Sequence, residues 1–196
     1  MPHEIEAKFR IGDPQALRVR LAEAGARQTG IVFEVNRILD TPDRRLRQAD
    51  RALRIRETRR VDLPGEPPAP VVTITFKGPR DAAAIRSREE LESIVDHAPA
   101  MVAILGQLGF VEQVLYEKRR EHWWFDPCRV ALDELPRLGW FVELEGPSVA
   151  AIEQARTRLG LADRPVHPET YVELAARHGV LMPDGRRELR FASGAP

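Results

Sequence analysis

The sequence predicts an α+β fold in which eight strands curl into a closed barrel and helices pack on its outer face. Two observations predict it. Eight segments alternate apolar and polar residues with the period of two that a strand imposes, and four others carry helix caps. The polar side of nearly every strand is charged rather than merely hydrophilic. A sheet of so many strands tends to curl or close, and with helices covering its apolar side the charged side becomes the concave one.

Strands are expected at 3–11, 31–40, 51–59, 71–78, 86–96, 112–125, 128–134 and 139–146, and helices at 14–24, 99–108, 148–159 and 168–178. The first helix has Asp13 as N-cap, Pro14 at its first position, and Leu17 and Leu21 on one stripe. Ser148 caps the third, which Gly160 ends, and Gly179 follows the fourth. The stretch 61–70, VDLPGEPPAP, reads as a Pro-rich loop. Residues 1–180 are expected to form one domain, with 181–196 a polar, frayed, flexible tail. A weak echo, EAGA at 23–26 and QLGF at 107–110, suggests a pseudo-twofold arrangement.

Within the strands the charges line up. Glu4, Glu6 and Lys8 share a face opposite Ile5, Ala7 and Phe9; Arg54 and Arg56 oppose Leu53 and Ile55. Lys77 follows Thr73 and Thr75; Arg88, Glu90 and Glu92 align, as do Lys118, Arg120 and His122. Asp133 sits in ALDE, and Glu143 and Glu145 oppose Val142 and Leu144. Any one such strand is more simply read as the wet face of an ordinary antiparallel sheet. Collectively the faces hold seven acids and seven bases with few Ser, Asn or Gln to dilute them. Partly buried ion pairs scarcely repay desolvation, so so dense a charged interior points to a ligand. Seven bases suit a polyanion, and surplus carboxylates suit a hard divalent cation. The two together point to a phosphate chain, whose oxygens match Arg forks and the Lys point charge.

The global composition neither adds to nor opposes this. Lys plus Arg and Asp plus Glu are both 30 among 196 residues, so the formal net charge is zero and nothing suggests a nucleic-acid coat or a membrane surface. The single Cys128 allows no internal disulfide and no paired-cysteine metal site. No apolar run approaches the roughly 20 residues of a membrane span. A cytoplasmic setting is expected.

At these residues the chain resembles the CYTH superfamily of triphosphate tunnel metalloenzymes, which includes class IV adenylate cyclases and thiamine triphosphatases. EIEAK at 4–8 looks like the family's ExExK signature. The likeness continues in order through DTPDRRLRQADRALRIRE at 40–57, TFKGP at 75–79, RxExE at 88–92, KRR at 118–120, LDELPRLGWFVELE at 132–145 and HPETYVELA at 167–175. The blocks look closest to the cyclase-like bacterial branch. The resemblance implies an eight-stranded antiparallel closed β-barrel, the triphosphate tunnel, acting on a small-molecule triphosphate. It implies that Glu4, Glu6, Glu143 and Glu145 hold Mg²⁺ or Mn²⁺, with Asp133, Glu90 and Glu92 as further metal or supporting acids. Lys8, Arg54, Arg56, Lys77, Arg88, Lys118 and Arg120 would bind substrate, with Lys8, Arg56, Lys118 and Glu143 carrying catalysis.

The expected activity is hydrolysis of inorganic, nucleoside or thiamine triphosphate. The alternatives are cyclisation of ATP to cyclic AMP and pyrophosphate, and a non-catalytic polyphosphate- or nucleotide-binding module. No nucleic acid or membrane partner is expected, and a homodimer is left open. One departure bears on substrate: Ile38 and Leu39 stand where an aromatic often precedes the DTP block, so no base platform is expected there. Inorganic triphosphate should then be turned over at least as well as ATP. Trp123 and Trp140 read as core, His122 as a residue of the charged face, and Tyr171 as a packing residue.

Overall fold

The computed structural model describes residues 3–65, 68–79 and 86–192, with backbone alone at 3–4 and 86–88. Along the chain run β1 (His3–Ile11), α1 (Pro14–Glu23), β2 (Arg27–Asp40), the short α2 (Arg45–Gln48), β3 (Ala52–Arg60), β4 (Val71–Lys77) and β5 (Arg86–Val95). Then come α3 (Ala98–Gln107), β6 (Val111–Phe125), β7 (Cys128–Leu135), β8 (Gly139–Glu145), α4 (Val149–Arg158), α5 (Tyr171–His178), β9 (Val180–Leu181) and β10 (Arg187–Leu189). Every expected strand and helix is present. The caps work as the sequence indicates: Asp13 accepts from Gln15 and Ala16, and Ser148 from Ala151. The last helix starts at 171 rather than 168, because Thr170 and Glu173 form a reciprocal capping box there.

The strands form one sheet in the order β2-β3-β4-β5-β1-β8-β7-β6-β10-β9, and β2 pairs with β6 as well. All pairings are antiparallel except β10 on β6. The β2–β6 register runs from Arg27↔Trp124 to Asp40↔Val111, with irregularities at Gln28/Gly30 and Ile38/Leu39. The sheet is thus held at β2 from both sides, by β3 over Val32↔Arg60 to Leu39↔Leu53 and by β6. Its charged faces look onto a common cavity, as the alternation requires.

Buried apolar residues form three clusters, two on the faces opposite the charges and a third where α5 covers part of the concave face. Phe9, Leu132, Val142 and Leu144 pack beneath α1 and α4 through Leu17, Leu21, Ile152 and Leu159. Trp123 and Trp140 pack partly buried against this cluster, as expected of core residues. Leu39, Leu53, Ile55 and Val72 pack beneath α3. Val114, Phe141 and Leu189 pack against Leu174 and Ala175 of α5.

Among the described residues the sheet has ten strands rather than the eight expected, and the last two are made by residues 180–189, so this part of the segment expected as a flexible tail is paired. Leu189 is the physical reason. It is fully buried beside Val114 and Leu174, a burial that contributes roughly 1.5–3 kcal/mol, and β10 lies parallel to β6 over Arg187↔Val114 to Leu189↔Tyr116. Arg186–Glu112 at 2.6 Å and Arg190–Glu117 at 2.9 Å flank the pairing. A lone leucine within RRELRF gives no periodic signal, so composition read the segment as solvated. Among the described residues, no helix is long and apolar enough to cross a membrane.

Candidate functional site

The charged faces enclose a cavity of about 880 Å³, at the upper end of the roughly 300–1,000 Å³ typical of small-molecule sites. Strand register decides who meets whom. β1 and β8 place Glu6 opposite Glu145 and Lys8 opposite Glu143. β2 and β6 place Glu34 opposite Lys118, and β6 and β7 place Arg120 opposite Asp133. β3 sets Arg56 opposite Asn36 and Arg54 opposite Thr75, while β4 and β5 set Lys77 opposite Glu90 and Thr75 opposite Glu92. These residues differ by even numbers along each strand, so they share one face.

The cavity's floor is a buried polar network. Arg120 donates to both Asp133 oxygens at 2.7 and 2.6 Å and also pairs with Glu143. Lys118 lies 3.4 Å from Glu34 and 3.4 Å from Asp133, and Arg56 reaches Glu34 at 3.2 Å and Asn36 Oδ1 at 2.9 Å. Burial alone would push both acids up, but Arg56 and Lys118 on Glu34, and Arg120 and Lys118 on Asp133, hold both well below the usual carboxylate range. Burial, reinforced by the Arg120 charge, pulls the Lys118 ammonium down to about 8. The same two causes take the His122 imidazole down to about 4, leaving it neutral at pH 7. Arg54 is lowered by burial and by Arg56 beside it.

The other wall is lighter. Lys77 pairs with Glu90 at 2.7 Å, Arg54 approaches Glu90 and Glu92 at 3.6 and 3.7 Å, and Thr75 donates to Glu92 at 2.7 Å. Among the described residues Arg54 Nε is buried with no hydrogen-bond partner, a cost of about 1–3 kcal/mol that a stability-optimised wall would avoid.

The first residue of α5 completes the site. The Tyr171 hydroxyl donates to Asp133 at 2.7 Å, and its ring has Lys8 Nζ at 4.1 Å and Lys118 Nζ at 4.9 Å from its centre. Phe141 packs edge-on at 5.7 Å. Burial and the Asp133 charge raise the Tyr171 phenol well above its ordinary value, so it stays a hydrogen-bond donor. One electron-rich ring thus lies within cation–π distance of two ammonium groups.

Of the residues singled out in the sequence, Lys8, Arg54, Arg56, Lys77, Lys118, Arg120, Glu6, Glu90, Glu92, Glu143 and Glu145 all line this cavity. Asp133 does not. It lies beneath the wall, fully buried, with its oxygens taken up by Arg120, Lys118 and Tyr171. The side chains of Glu4 and Arg88 lie outside the described residues, although the backbone pairs these two positions directly. His122 lines the cavity, and Trp124 is partly exposed away from it. Sequence reasoning missed Glu34, Asn36, Tyr116 and Arg129, and took Tyr171 for a packing residue. Period two in 31–40 places Glu34, Asn36 and Ile38 on one face and would have found the first two. Nothing in sequence announces Tyr171, because a helix brings it in.

The donor chemistry fits a hard divalent cation on one side. Glu6, Glu143 and Glu145 occupy one face of two adjacent strands and line the cavity, and carboxylate oxygens are what Mg²⁺ or Mn²⁺ takes. As they stand, no three described acids, histidines or cysteines are gathered in ligating geometry. Glu143 is held by Arg120, so the acids must regroup around an ion. Among the described lining residues seven Lys and Arg face five Glu, while the buried Glu34 and Asp133 sit beneath Arg56, Lys118 and Arg120, so the cations are concentrated at the cavity surface rather than in excess overall.

The concave face of the sheet is thus a charged, partly desolvated cavity with seven cationic side chains in its lining. The chain belongs to the CYTH domain family, whose profile matches residues 2–158. Among its relatives is a candidate adenylate cyclase of Methanocaldococcus jannaschii, 30% identical over 142 residues, which are 72% of this chain and 75% of that protein. A Pyrococcus horikoshii OT3 protein of solved structure superposes with a TM-score of 0.72 at 25% identity, over 87% of this chain and 98% of that one. A candidate adenylyl cyclase from Hippeastrum, reported to have a dominant triphosphatase activity, superposes at 0.65 with 20% identity, over 92% and 98% of the two chains.

Proposed function

We propose that this protein hydrolyses the terminal phosphoanhydride of a triphosphate, with Mg²⁺ or Mn²⁺, inside the charged cavity. The sheet then works as the closed barrel, or tunnel, that the family resemblance implies, a reading supported by β2 pairing with both β3 and β6. The observation that carries the proposal is the cation-rich wall: Lys8, Arg54, Arg56, Lys77, Lys118 and Arg120 arrive from four strands and face one space. The cytoplasm, where triphosphates and Mg²⁺ coexist, is the setting this implies.

Phosphoryl transfer asks a protein mainly for positioning and charge neutralisation. Arg54, Arg56 and Arg120 present planar forks that match phosphate oxygens, and Lys8, Lys77 and Lys118 add point charges. Glu6, Glu143 and Glu145 would hold the metal, which when bound supplies charge neutralisation at the phosphate oxygens. Asp133 and Glu34 fix the direction of Arg120, Lys118 and Arg56 so that they need not reorganise during the reaction. Substrate oxygens replace Glu143 on Arg120, freeing that carboxylate. A water oxygen then bonds to the terminal phosphorus as the bridging P–O bond breaks; the diphosphate keeps that electron pair as the leaving group, the water's proton passes to solvent, and orthophosphate is the second product. Lys8, Arg56, Lys118 and Glu143 carry the largest share: Lys8 lies opposite Glu143, and Arg56 and Lys118 are both oriented by Glu34.

The named activity of the Hippeastrum neighbour supports hydrolysis. The name of the M. jannaschii relative supports a second reading, cyclisation of ATP with release of pyrophosphate through the same phosphate grip. Incubation with inorganic triphosphate, ATP, GTP and thiamine triphosphate, each with Mg²⁺ or Mn²⁺ and with products separated by chromatography, tests both. Orthophosphate supports hydrolysis and cyclic AMP supports the cyclase. Tight binding without any product would make the domain a non-catalytic binding module.

A further inference from the structure

Beside the charged cavity lies a second one of about 440 Å³, with Ile38, Ala52, Thr170 and Val172 in both walls. Its character differs. Ile38, Val114, Val172, Ala176 and Leu181 give it an apolar side, while Arg44, Arg47 and Arg51 stand at its edge. These three arginines are exposed, and among the described residues their guanidinium groups have no carboxylate partner. The loop that carries them is firmly built. Asp40 is buried, and its carboxylate accepts from the backbone N–H groups of Thr41, Leu46 and Arg47 at 2.7, 2.9 and 2.9 Å. On either side of α2, Arg44 and Asp50 hold positive φ angles of 59° and 53°, conformations that cost a non-glycine residue about 1–3 kcal/mol and gather at functional sites. The outer wall comes from Leu181, Gly185 and Arg187, all beyond the residues that match the family profile.

We propose that this side pocket binds the ring-bearing end of the substrate, so that the protein acts on nucleoside triphosphates in preference to inorganic triphosphate. This rests on the reading of the charged cavity as the triphosphate site. A phosphate chain lying across the shared Ile38–Ala52 wall would put its organic end in the second pocket. An apolar floor disfavours further phosphates, which would lose water there without recompense. It suits a flat heteroaromatic ring, against which a guanidinium plane can stack, and the Gln113 amide in the same wall offers a donor and an acceptor to a ring edge. The expectation drawn from Ile38 and Leu39, that no surface for a base exists, is thereby revised. Ile38 is part of that surface, and its remaining parts come from α5 and the β9–β10 segment, far away in sequence.

Calorimetric titration of the full chain with ATP and with inorganic tripolyphosphate, in Mg²⁺, tests this whether or not either is turned over. Ala176→Trp fills the pocket from α5, and Arg47→Ala removes an edge guanidinium at an exposed position that bears no core load. The expected result is a loss of about tenfold in ATP affinity, the scale of one stacking contact, with tripolyphosphate affinity kept within about twofold. Parallel losses for both ligands, or no loss for either in both variants, would overturn the subsite. Selective loss of ATP binding in a protein that hydrolyses neither ligand would leave the subsite standing and refute the proposed activity. Hydrolysis of both ligands with ATP affinity indifferent to both variants would do the reverse.

Discussion

Replacing Lys118 by methionine should leave the empty protein at least as stable as the wild type at pH 7. The ammonium is 1% exposed, and its pKa stands at about 8 in the fold against 10.5 for the unhindered group. A difference of 2.5 units at 1.36 kcal/mol each means that the fold disfavours the charged amine by about 3 kcal/mol relative to the neutral one. Lys118→Met removes that charge while keeping most of the volume. It does not strand the acids, because the strongest cationic neighbour of Glu34 is Arg56 and that of Asp133 is Arg120. The attractions of Glu34 and Asp133 are already contained in that lowered pKa, so the gain at pH 7 should be at most about 3 kcal/mol. The pH dependence follows from the sign. A folded pKa below the unfolded one means that the unfolded chain binds more protons between about pH 8 and 10.5, so wild-type stability rises with pH across that window. The advantage of Lys118→Met should therefore be constant below pH 8 and shrink above it. Urea denaturation of both proteins from pH 6.5 to 10 measures this. A destabilised Lys118→Met, or an advantage that grows above pH 8, would refute the claim that the site carries this charge at the fold's expense. Tripolyphosphate binding should meanwhile collapse in the variant, and in the wild type it should weaken above pH 8 as the ammonium is lost.

Further expectations concern the same cavity. Tripolyphosphate binds only the folded state, so at about 100 times its dissociation constant it should add roughly 2.7 kcal/mol of stability, read as a rise in melting temperature; no rise, with or without metal, would count against a phosphate site. Glu143→Gln should cut metal-dependent turnover with little change in denaturant midpoint; Arg56→Ala should weaken substrate binding and also lower the midpoint, because it deprives buried Glu34 of its strongest cationic neighbour, and steady-state kinetics beside denaturation curves would separate the two effects. The folded-state carboxyls of Glu34 and Asp133 sit well below their ordinary range, so their contribution is complete above the unfolded values and drains away as pH falls beneath about 4. Melting curves from pH 7 to 3 should show that decline, and it should be smaller in Glu34→Gln. Tyr171→Phe removes a hydrogen bond to a charged carboxylate and should cost about 1.5–3 kcal/mol, with the loss read from urea midpoints.

How legible the site was depended on where its residues sit. Glu6 and Lys8, Arg54 and Arg56, and Glu143 and Glu145 could be assigned to a common face before any fold was known, because period two is a local property of the strand. Glu34 and Asn36 obeyed the same rule in β2 and were readable too. Asp133 was placed on the right face, and of its two expected roles, metal acid or supporting acid, the fold shows it in a supporting position. Alternation tells which side a carboxylate faces, not whether Arg120, Lys118 and Tyr171 will cover it from neighbouring elements.

The sequence by itself determined the strands, the helix caps and the charged character of one sheet face, since each is set by residues within a turn or two of one another. Only the tertiary structure decided which charges pair, since Glu34 meets Lys118 through the β2–β6 register, across more than eighty positions of chain. Tertiary packing alone also brought the Tyr171 ring up to both Lys8 and Lys118, and turned residues 187–189 from tail into strand by burying Leu189. A side chain's pKa, partners and burial come from the whole surroundings, and those exist only once distant segments have packed.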